Sequence, residues 1–110
     1  MSAIVHLHET PASITPEGGE RRVLSYGGGL MLVQFSFDAG VTTAMHQHPH
    51  EQIGYVVSGE IDLIMEGHET TRLTAGGSYY VAPNLRHQVV TYAPTVLVDC
   101  FSPLREDFLP

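Results

Sequence analysis

The 110-residue sequence contains no lysine, no tryptophan and a single cysteine, Cys100. One cysteine cannot form an intrachain disulfide, so the redox compartment is left open. The five basic residues are all arginines and the formal net charge is −7. This balance argues against nucleic acid and anionic membranes as partners, because both are bound by clustered Lys and Arg. An anionic small molecule stays possible if the fold supplies a local positive site.

Long apolar runs are also missing, since no stretch approaches the roughly 18 apolar residues of a membrane span. The first nine residues have neither the basic start nor the apolar core of a signal peptide, so we expect a cytoplasmic protein. The chain is 43% hydrophobic and 15% charged, which is too apolar for a disordered segment. Its length predicts a single domain.

Helical periodicity is nearly absent, and short β-rich runs are separated by Gly, Pro, Asn and Asp. So many short strands around one core must close into a barrel or pack as two sheets, and a small barrel can hold one small ligand. We predict an all-β fold with strands at 20–26, 30–37, 41–45, 52–57, 61–65, 69–73, 78–81, 87–92 and 96–101, possible edge strands at 5–8 and 12–14, and space for a helical turn in 104–109.

Histidines are concentrated in one segment, where His46, His48 and His50 lie within five residues. Residues two apart on an extended strand share a face, so His46 and His48 can serve one metal ion. Gln52 follows four residues later, and His87 begins a later predicted strand. Three imidazoles and one amide oxygen would bind one divalent transition metal ion and leave room for solvent or substrate.

At this point the sequence resembles the cupin family, through two motifs. In the first motif the spacing matches and glutamine replaces the usual glutamate; its positions are Gly40, His46, His48, Gln52 and Gly59. In the second motif alanine replaces proline and asparagine replaces glycine; its positions are Gly76, Ala82, Asn84 and His87. Asparagine tolerates a positive φ and can make the same turn as glycine. The two motifs cover about residues 40–91.

The resemblance implies a cupin-type double-stranded β-helix, or jelly-roll barrel, in a single domain at 1–110. The metal-binding barrel would span about 30–101, and N-terminal edge strands about 4–26. The implied metal ligands are His46, His48, Gln52 and His87. Nickel, zinc, manganese, iron and cobalt are all compatible with such ligands. His50 and Glu51 remain alternative contacts to metal or substrate.

A second group of candidate residues lies near the C-terminus, on an apolar predicted strand that carries one carboxylate. Asp99 and Phe101 share a face, and Arg105 follows closely enough to turn back toward it. A buried acid is costly unless it is paired or functional. The structural alternative is a salt bridge between Asp99 and Arg105 at the rim, with Phe101 in the core.

Beyond the cupin motifs, the whole chain resembles the small KdgF-like pectin degradation proteins, most clearly at 17–24, 48–55 and 101–108. The resemblance implies that Asp99, Phe101 and Arg105 are catalytic. It also implies metal-dependent ring opening and tautomerisation of 4,5-unsaturated uronate monosaccharides, released from pectin or alginate, to a 5-keto-4-deoxyuronate. The alternatives are a cupin dioxygenase with the same metal site and a non-enzymatic sugar- or metal-binding cupin.

Three further expectations concern the residues around this site and the oligomeric state. One of the adjacent Tyr79 and Tyr80 must face inward, where it could touch a ligand. Arg21 and Arg22 are adjacent on a predicted strand, so one faces each way. Either could help to bind an anion, but we expect surface exposure. An unpaired edge strand within 5–14 predicts a homodimer, because cupins commonly pair through edge strands.

Overall fold

The structure, a computed structural model, describes residues 3–110. Its nine strands are β1 (Ser13–Ile14), β2 (Glu20–Gly27), β3 (Leu30–Phe37), β4 (Glu51–Ser58), β5 (Glu60–Met65), β6 (Thr71–Thr74), β7 (Ser78–Val81), β8 (His87–Thr91) and β9 (Thr95–Ser102). Two short 3₁₀ turns, Leu7–Glu9 and Glu106–Phe108, flank the strands, the second within the predicted helical turn. No helix within residues 3–110 is long and apolar enough to cross a membrane.

Two antiparallel sheets enclose the core. The larger sheet has the order β1-β2-β3-β9-β4-β7 and the smaller one the order β6-β5-β8. Side chains of both sheets share one buried cluster, in which Val56 and Leu97 of the larger sheet join Ile61 and Leu63 of the smaller one. This arrangement confirms the predicted all-β jelly-roll class.

A second apolar cluster lies beneath the C-terminal segment. Met31, Val33 and Phe101 are buried there, and Phe108 and Leu109 of the C-terminal segment pack against them. The chain after β9 therefore folds back over the sheet instead of extending into solvent. This return brings the 3₁₀ turn at Glu106–Phe108 to the same end of the barrel as Phe101.

Alternation along the strands sends the polar residues of interest inward. Along β9 every second residue from Thr95 is buried, which includes Asp99. Along β4 the same alternation buries Gln52 and Gly54. Gly54 lies opposite Asp99 on one side and Tyr79 on the other. The register therefore places a buried carboxylate beside a position that has no side chain.

The predicted strand at 41–45 is wrong, because this segment forms a single isolated bridge with β8, at Thr42, and the next bridge follows at His46. Threonine hydroxyls interrupt regular pairing on both sides. The Thr43 hydroxyl accepts a hydrogen bond from the Val89 N–H at 2.9 Å. The Thr91 hydroxyl accepts one from the Val41 N–H at 3.0 Å. Side-chain oxygens thus take up backbone donors that a continuous ladder would have used.

The predicted edge strand at 5–8 is also wrong, because the segment contains the 3₁₀ turn Leu7–Glu9. Thr10 closes this turn twice. Its N–H donates to the Leu7 carbonyl at 3.0 Å, and its hydroxyl donates to the His6 carbonyl at 2.8 Å. The predicted strand at 12–14 is present as the two-residue β1.

Gly54 gives the first testable prediction. A methyl group there would collide with the Tyr79 ring and the Asp99 carboxylate, so one of them must move. We expect Gly54→Ala to lower the free energy of unfolding by about 1–3 kcal/mol, as overpacking does in well-packed cores. Gly29→Ala is the control, because its new methyl group would find its nearest atom, the Ser102 hydroxyl oxygen, 3.8 Å away. Equal thermal midpoints for the two variants would contradict this account.

Candidate metal centre and adjoining pocket

Three imidazoles converge at one end of the barrel. His87 begins β8 and forms a bridge with His46, while His48 lies in the loop before β4. Each ring can offer one nitrogen such that the three nitrogens lie within 4.8 Å of one another. His48 and His87 are buried and His46 is exposed. His46 is therefore the member of the group that contacts solvent most.

Backbone carbonyls orient all three rings in the same way. In each ring Nδ1 lies 2.8 or 2.9 Å from the carbonyl oxygen of a residue two positions away. Those carbonyls belong to Ala44, His50 and Leu85. Because a carbonyl can only accept, Nδ1 must carry the hydrogen, and Nε2 keeps its lone pair. This is the arrangement that metal-binding histidines require.

Burial keeps two of these imidazoles neutral. Desolvation lowers the pKa of His87 to about 4. Desolvation is also the largest cause of the lowered pKa of His48, followed by the positive charge of Arg105. The Nε2 atom of His87 is buried, and no hydrogen-bond partner reaches it from residues 3–110. Such an orphaned lone pair fits coordination of a cation, which would compensate for its lost hydration.

Gln52 adds an oxygen to this group. Its Nε2 donates to Asp99 Oδ1 at 2.9 Å, which turns its carbonyl oxygen toward His48. That oxygen lies 3.0 Å from His48 Nε2. Since the hydrogen of the neutral His48 ring is on Nδ1, two acceptors face each other across this distance. A cation bound by both atoms would relieve their repulsion, so the donor set fits a divalent ion.

His50 and Glu51, the two alternative contacts, are not members of the three-histidine group. His50 Nε2 lies 3.1 Å from the Leu104 carbonyl oxygen. The Glu51 carboxylate is on the exposed face of β4 and accepts a hydrogen bond from the Tyr80 hydroxyl at 2.9 Å. The His50 ring lies beside the His48 ring, with centroids 5.6 Å apart, but His50 is not a member of the group.

Asp99 is held in a buried position next to Gln52. Its carboxylate is 2% exposed, and its Oδ1 accepts hydrogen bonds from Gln52 and from the Tyr79 hydroxyl, each at 2.9 Å. Desolvation raises its pKa to about 6, against the lowering effect of the two hydrogen bonds. Within residues 3–110 Oδ2 receives no hydrogen bond, so it is the oxygen left for a ligand. As predicted, one of the adjacent tyrosines faces inward, namely Tyr79, while Tyr80 is exposed.

Arg105 does not form an ion pair with Asp99, so the salt bridge considered in the sequence analysis is not present in the structure. Its Nε and Nη2 instead donate to the two oxygens of Asp107 at 3.0 and 2.9 Å. Phe101 is 2% exposed and lies edge-on to the His48 ring, with centroids 5.7 Å apart. The Arg105 guanidinium carbon is 5.1 Å from the Phe101 centroid. Phe101 is therefore both a core residue and a neighbour of the histidine group.

A pocket of about 360 Å³ reaches the metal centre at His46 and Gln52 and extends to this second group. Such a volume suits one small organic ligand. Its lining includes His46, Gln52, Asp99, Phe101 and Arg105. Five of the seven candidate residues from the sequence therefore line one cavity, while His48 and His87 lie behind its wall, in the histidine group.

The sequence interpretation named Arg21 as a candidate for anion binding but expected it at the surface, and it did not name Asp107 or Phe108. Arg21 lines the pocket, with its guanidinium carbon 4.1 Å from the centroid of the Phe108 ring. The expectation of surface exposure fits Arg22 better, since its side chain pairs with Glu20 at 3.0 Å. Strand alternation indicated that one arginine faces each way, but it could not say which. Asp107 and Phe108 were missed because the return of the C-terminal turn has no local sequence signal.

Residues 33–101 match the Cupin domain family, so the chain belongs to the cupins. Among curated proteins it is 37% identical to the pectin degradation protein KdgF of Dickeya dadantii (strain 3937), over 92% of this chain and 93% of that protein. The structure of KdgF from Halomonas sp. matches with a TM-score of 0.89 and 33% identity, over 96% of this chain and 99% of the other. An RmlC-like cupin from Shewanella frigidimarina NCIMB 400 matches with a TM-score of 0.93 and 35% identity, over 99% and 97% of the two chains. The KdgF-like resemblance is therefore confirmed.

The histidine geometry predicts that a divalent metal ion stabilises the folded protein. At a free concentration of 100 times its Kd, Ni²⁺ or Zn²⁺ should add about 2.7 kcal/mol to the free energy of unfolding. His87→Ala should remove most of this metal-dependent increment, because it deletes the buried orphaned nitrogen. His68→Ala is the control, since His68 is exposed and outside the three-histidine group. Thermal unfolding with and without metal gives both increments, and an undiminished increment in His87→Ala would exclude this site.

Proposed function

We propose that the protein is a metal-dependent cytoplasmic enzyme that linearises 4,5-unsaturated uronate monosaccharides, derived from pectin or alginate, to 5-keto-4-deoxyuronate. The relationship to KdgF proteins supports the sugar class. The observation that carries the proposal is the orientation of the Gln52 amide, whose nitrogen donates to the buried Asp99 carboxylate and whose oxygen faces His48. Gln52 and Asp99 both line the pocket. An acid–base group and a cation site are thus next to each other.

In this proposal His46, His48, His87 and Gln52 hold one divalent transition metal ion, whether nickel, zinc, manganese, iron or cobalt. When bound, the ion supplies Lewis acidity toward substrate oxygens and stabilises negative charge that develops on them. All four side chains are neutral ligands, so none offsets the charge of the ion, as a glutamate at position 52 would. A strong positive centre suits an anionic substrate.

Asp99 moves the proton in two steps. Its Oδ2 first takes the proton of the hydroxyl on carbon 1. The electron pair left on that oxygen forms the aldehyde C=O bond, and the bond between carbon 1 and the ring oxygen breaks. The ring oxygen stays on carbon 5 as an enolate conjugated with the carboxylate. Asp99 then returns the proton to carbon 4, and carbon 5 becomes a ketone. Atoms and charge balance without an oxidant or an organic cofactor.

Phe101 and Arg105 shape the binding end of the pocket. The buried Phe101 ring offers an apolar wall against which a sugar ring can pack. Arg105 places a guanidinium over that ring and contributes a positive charge that attracts the uronate carboxylate. Its pairing with Asp107 holds it in place.

Replacement of the proposed proton carrier gives the third prediction. Asp99→Asn keeps an acceptor for the Tyr79 hydroxyl and nearly the same volume, but it cannot carry the proton. We expect about a 10²- to 10⁴-fold loss of rate, the usual contribution of a general acid–base group. The assay follows the loss of conjugated-alkene ultraviolet absorbance of unsaturated uronate above the spontaneous rate, with metal-loaded protein. Metal-dependent stabilisation should persist, and Asp62→Asn, at the exposed Arg72 ion pair, should retain full activity.

Undiminished activity of Asp99→Asn would remove the proposed role of Asp99. The same assay also separates the alternatives. A dioxygenase would consume oxygen with its substrate, which an oxygen electrode detects, whereas linearisation consumes none. A binding protein would bind the uronate and release it unchanged at the spontaneous rate.

We also propose that the protein is a homodimer. We place the interface on the outer face of the larger sheet instead of the expected edge at 5–14, because that segment contains a 3₁₀ turn and only the two-residue strand β1. A row of apolar side chains crosses this face in register, from Leu32 through Cys100 and Ile53 to Tyr80. Ile53 is 58% exposed and Tyr80 is 50% exposed. No member of the row is charged, and a two-fold axis would let a second copy present the same row in return.

Ile53→Asp tests this interface, because it places a charge in the middle of the apolar row. We expect the variant to sediment as a monomer while the wild type sediments as a dimer. Ile14→Asp is the matched control, since Ile14 is 69% exposed on β1, outside the row. A monomeric wild type would contradict the dimer, and dissociation by Ile14→Asp alone would restore the segment 5–14 as the interface.

A further inference from the structure

We propose that Arg21 is a carboxylate-binding residue of the pocket, which holds the anionic group of the substrate through a guanidinium edge that no protein carboxylate occupies. The inference rests on the proposed function, because it assumes a uronate as ligand. Arg105 already has a role in the proposed function, and the inference gives the other arginine of the pocket, Arg21, a role in substrate recognition.

The position of Arg21 is built by β2 and the C-terminal turn. On β2 it pairs in register with Phe35, another residue of the pocket lining. Its guanidinium carbon lies 4.1 Å from the centroid of Phe108, so the aromatic ring supports it without neutralising its charge. Within residues 3–110 its side chain has no hydrogen bond or ion pair, and its Nε is buried without a partner. A buried, fixed donor without an acceptor is poised for a ligand.

Arg105 differs from Arg21 because its guanidinium donors are already bound to a protein carboxylate. One edge of its guanidinium is fully used, since Nε and Nη2 bind both oxygens of Asp107. A substrate carboxylate could take that edge only by displacing Asp107. Arg21 offers the same paired donors without such a competitor, and two parallel hydrogen bonds from one guanidinium are the strongest way to hold a carboxylate.

The charges around the pocket point to the same residue. The acidic side chains in its lining are Glu17, Asp99 and Asp107. Of its two arginines, Arg105 forms an ion pair with Asp107, whereas Arg21 forms none with the described lining residues. Both guanidinium carbons lie 4.1 Å from the centroid of the Phe108 ring, so one aromatic side chain supports both cations. An entering carboxylate is therefore attracted by both guanidinium groups, but only Arg21 offers it paired donors that no carboxylate of the described residues already occupies.

Direct binding tests this assignment without any catalysis. The probe is galacturonate, a stable saturated uronate, titrated into metal-loaded protein and followed by calorimetry, with galactose as the neutral counterpart. We expect Arg21→Gln to weaken galacturonate binding by roughly 10- to 100-fold, the range expected for loss of charge-assisted hydrogen bonds. Arg21→Lys should fall in between, because it keeps the charge and loses the fork. Galactose should bind more weakly than galacturonate to the wild type and equally to all variants.

Arg22→Gln is the matched control, since it removes the same charge from the neighbouring position on β2. Arg22 pairs with Glu20 and with the Thr10 carbonyl, outside the pocket. Its galacturonate affinity should equal that of the wild type, provided that its thermal midpoint shows a folded protein. In the unsaturated-uronate assay Arg21→Gln should raise KM by about the same factor and leave kcat nearly unchanged, as expected for uniform binding.

The outcomes separate this inference from the proposed function. Turnover of unsaturated uronate with an unchanged KM and unchanged galacturonate affinity in Arg21→Gln would overturn the role of Arg21 and leave the function standing. Galacturonate binding that depends on Arg21, without any turnover, would support Arg21 and overturn the function. A wild type that neither binds nor converts a uronate would overturn both.

Discussion

The orientation of the Gln52 amide is the constraint on which the site depends. Its nitrogen end donates to Asp99, so its carbonyl end must face His48. With the His48 hydrogen committed to the His50 carbonyl, this contact brings together two acceptors. The arrangement is unfavourable by itself and becomes favourable when a cation is bound. A glutamate in place of Gln52 could not donate to Asp99, and two carboxylates would repel each other there.

The neighbouring strands β4, β7 and β9 hold the Asp99 carboxylate in position next to Gln52. Gly54 leaves the space in which the Tyr79 hydroxyl reaches the Asp99 carboxylate, and the register of β4 with β7 and β9 brings the three residues into one row. Both hydrogen bonds fall on the same carboxylate oxygen, which leaves the other oxygen for chemistry. Strand register, and not the residues nearest in sequence, therefore sets the position of the acid.

The sequence predicted those features that depend on spacing and alternation. The histidine pair two residues apart, the inward face shared by Asp99 and Phe101, and the all-β class all follow from strand periodicity and the cupin motifs. Features that depend on contacts between distant segments were not predictable. The threonine hydroxyls that interrupt the strand at 41–45 and the return of Phe108 onto Phe101 have no local signal. For the same reason Arg21 could not be told from Arg22.

The proposed mechanism delivers a proton from one side of the substrate, because Asp99 lies on one wall of the pocket. The most direct test is to run the reaction of unsaturated uronate in heavy water and to examine the product by NMR at early times. The account predicts that the metal-loaded protein accelerates formation of 5-keto-4-deoxyuronate, which carries one deuterium in a single configuration at carbon 4, with no acceleration by Asp99→Asn. Acceleration that places deuterium equally on both faces, or equal acceleration by Asp99→Asn, would contradict it.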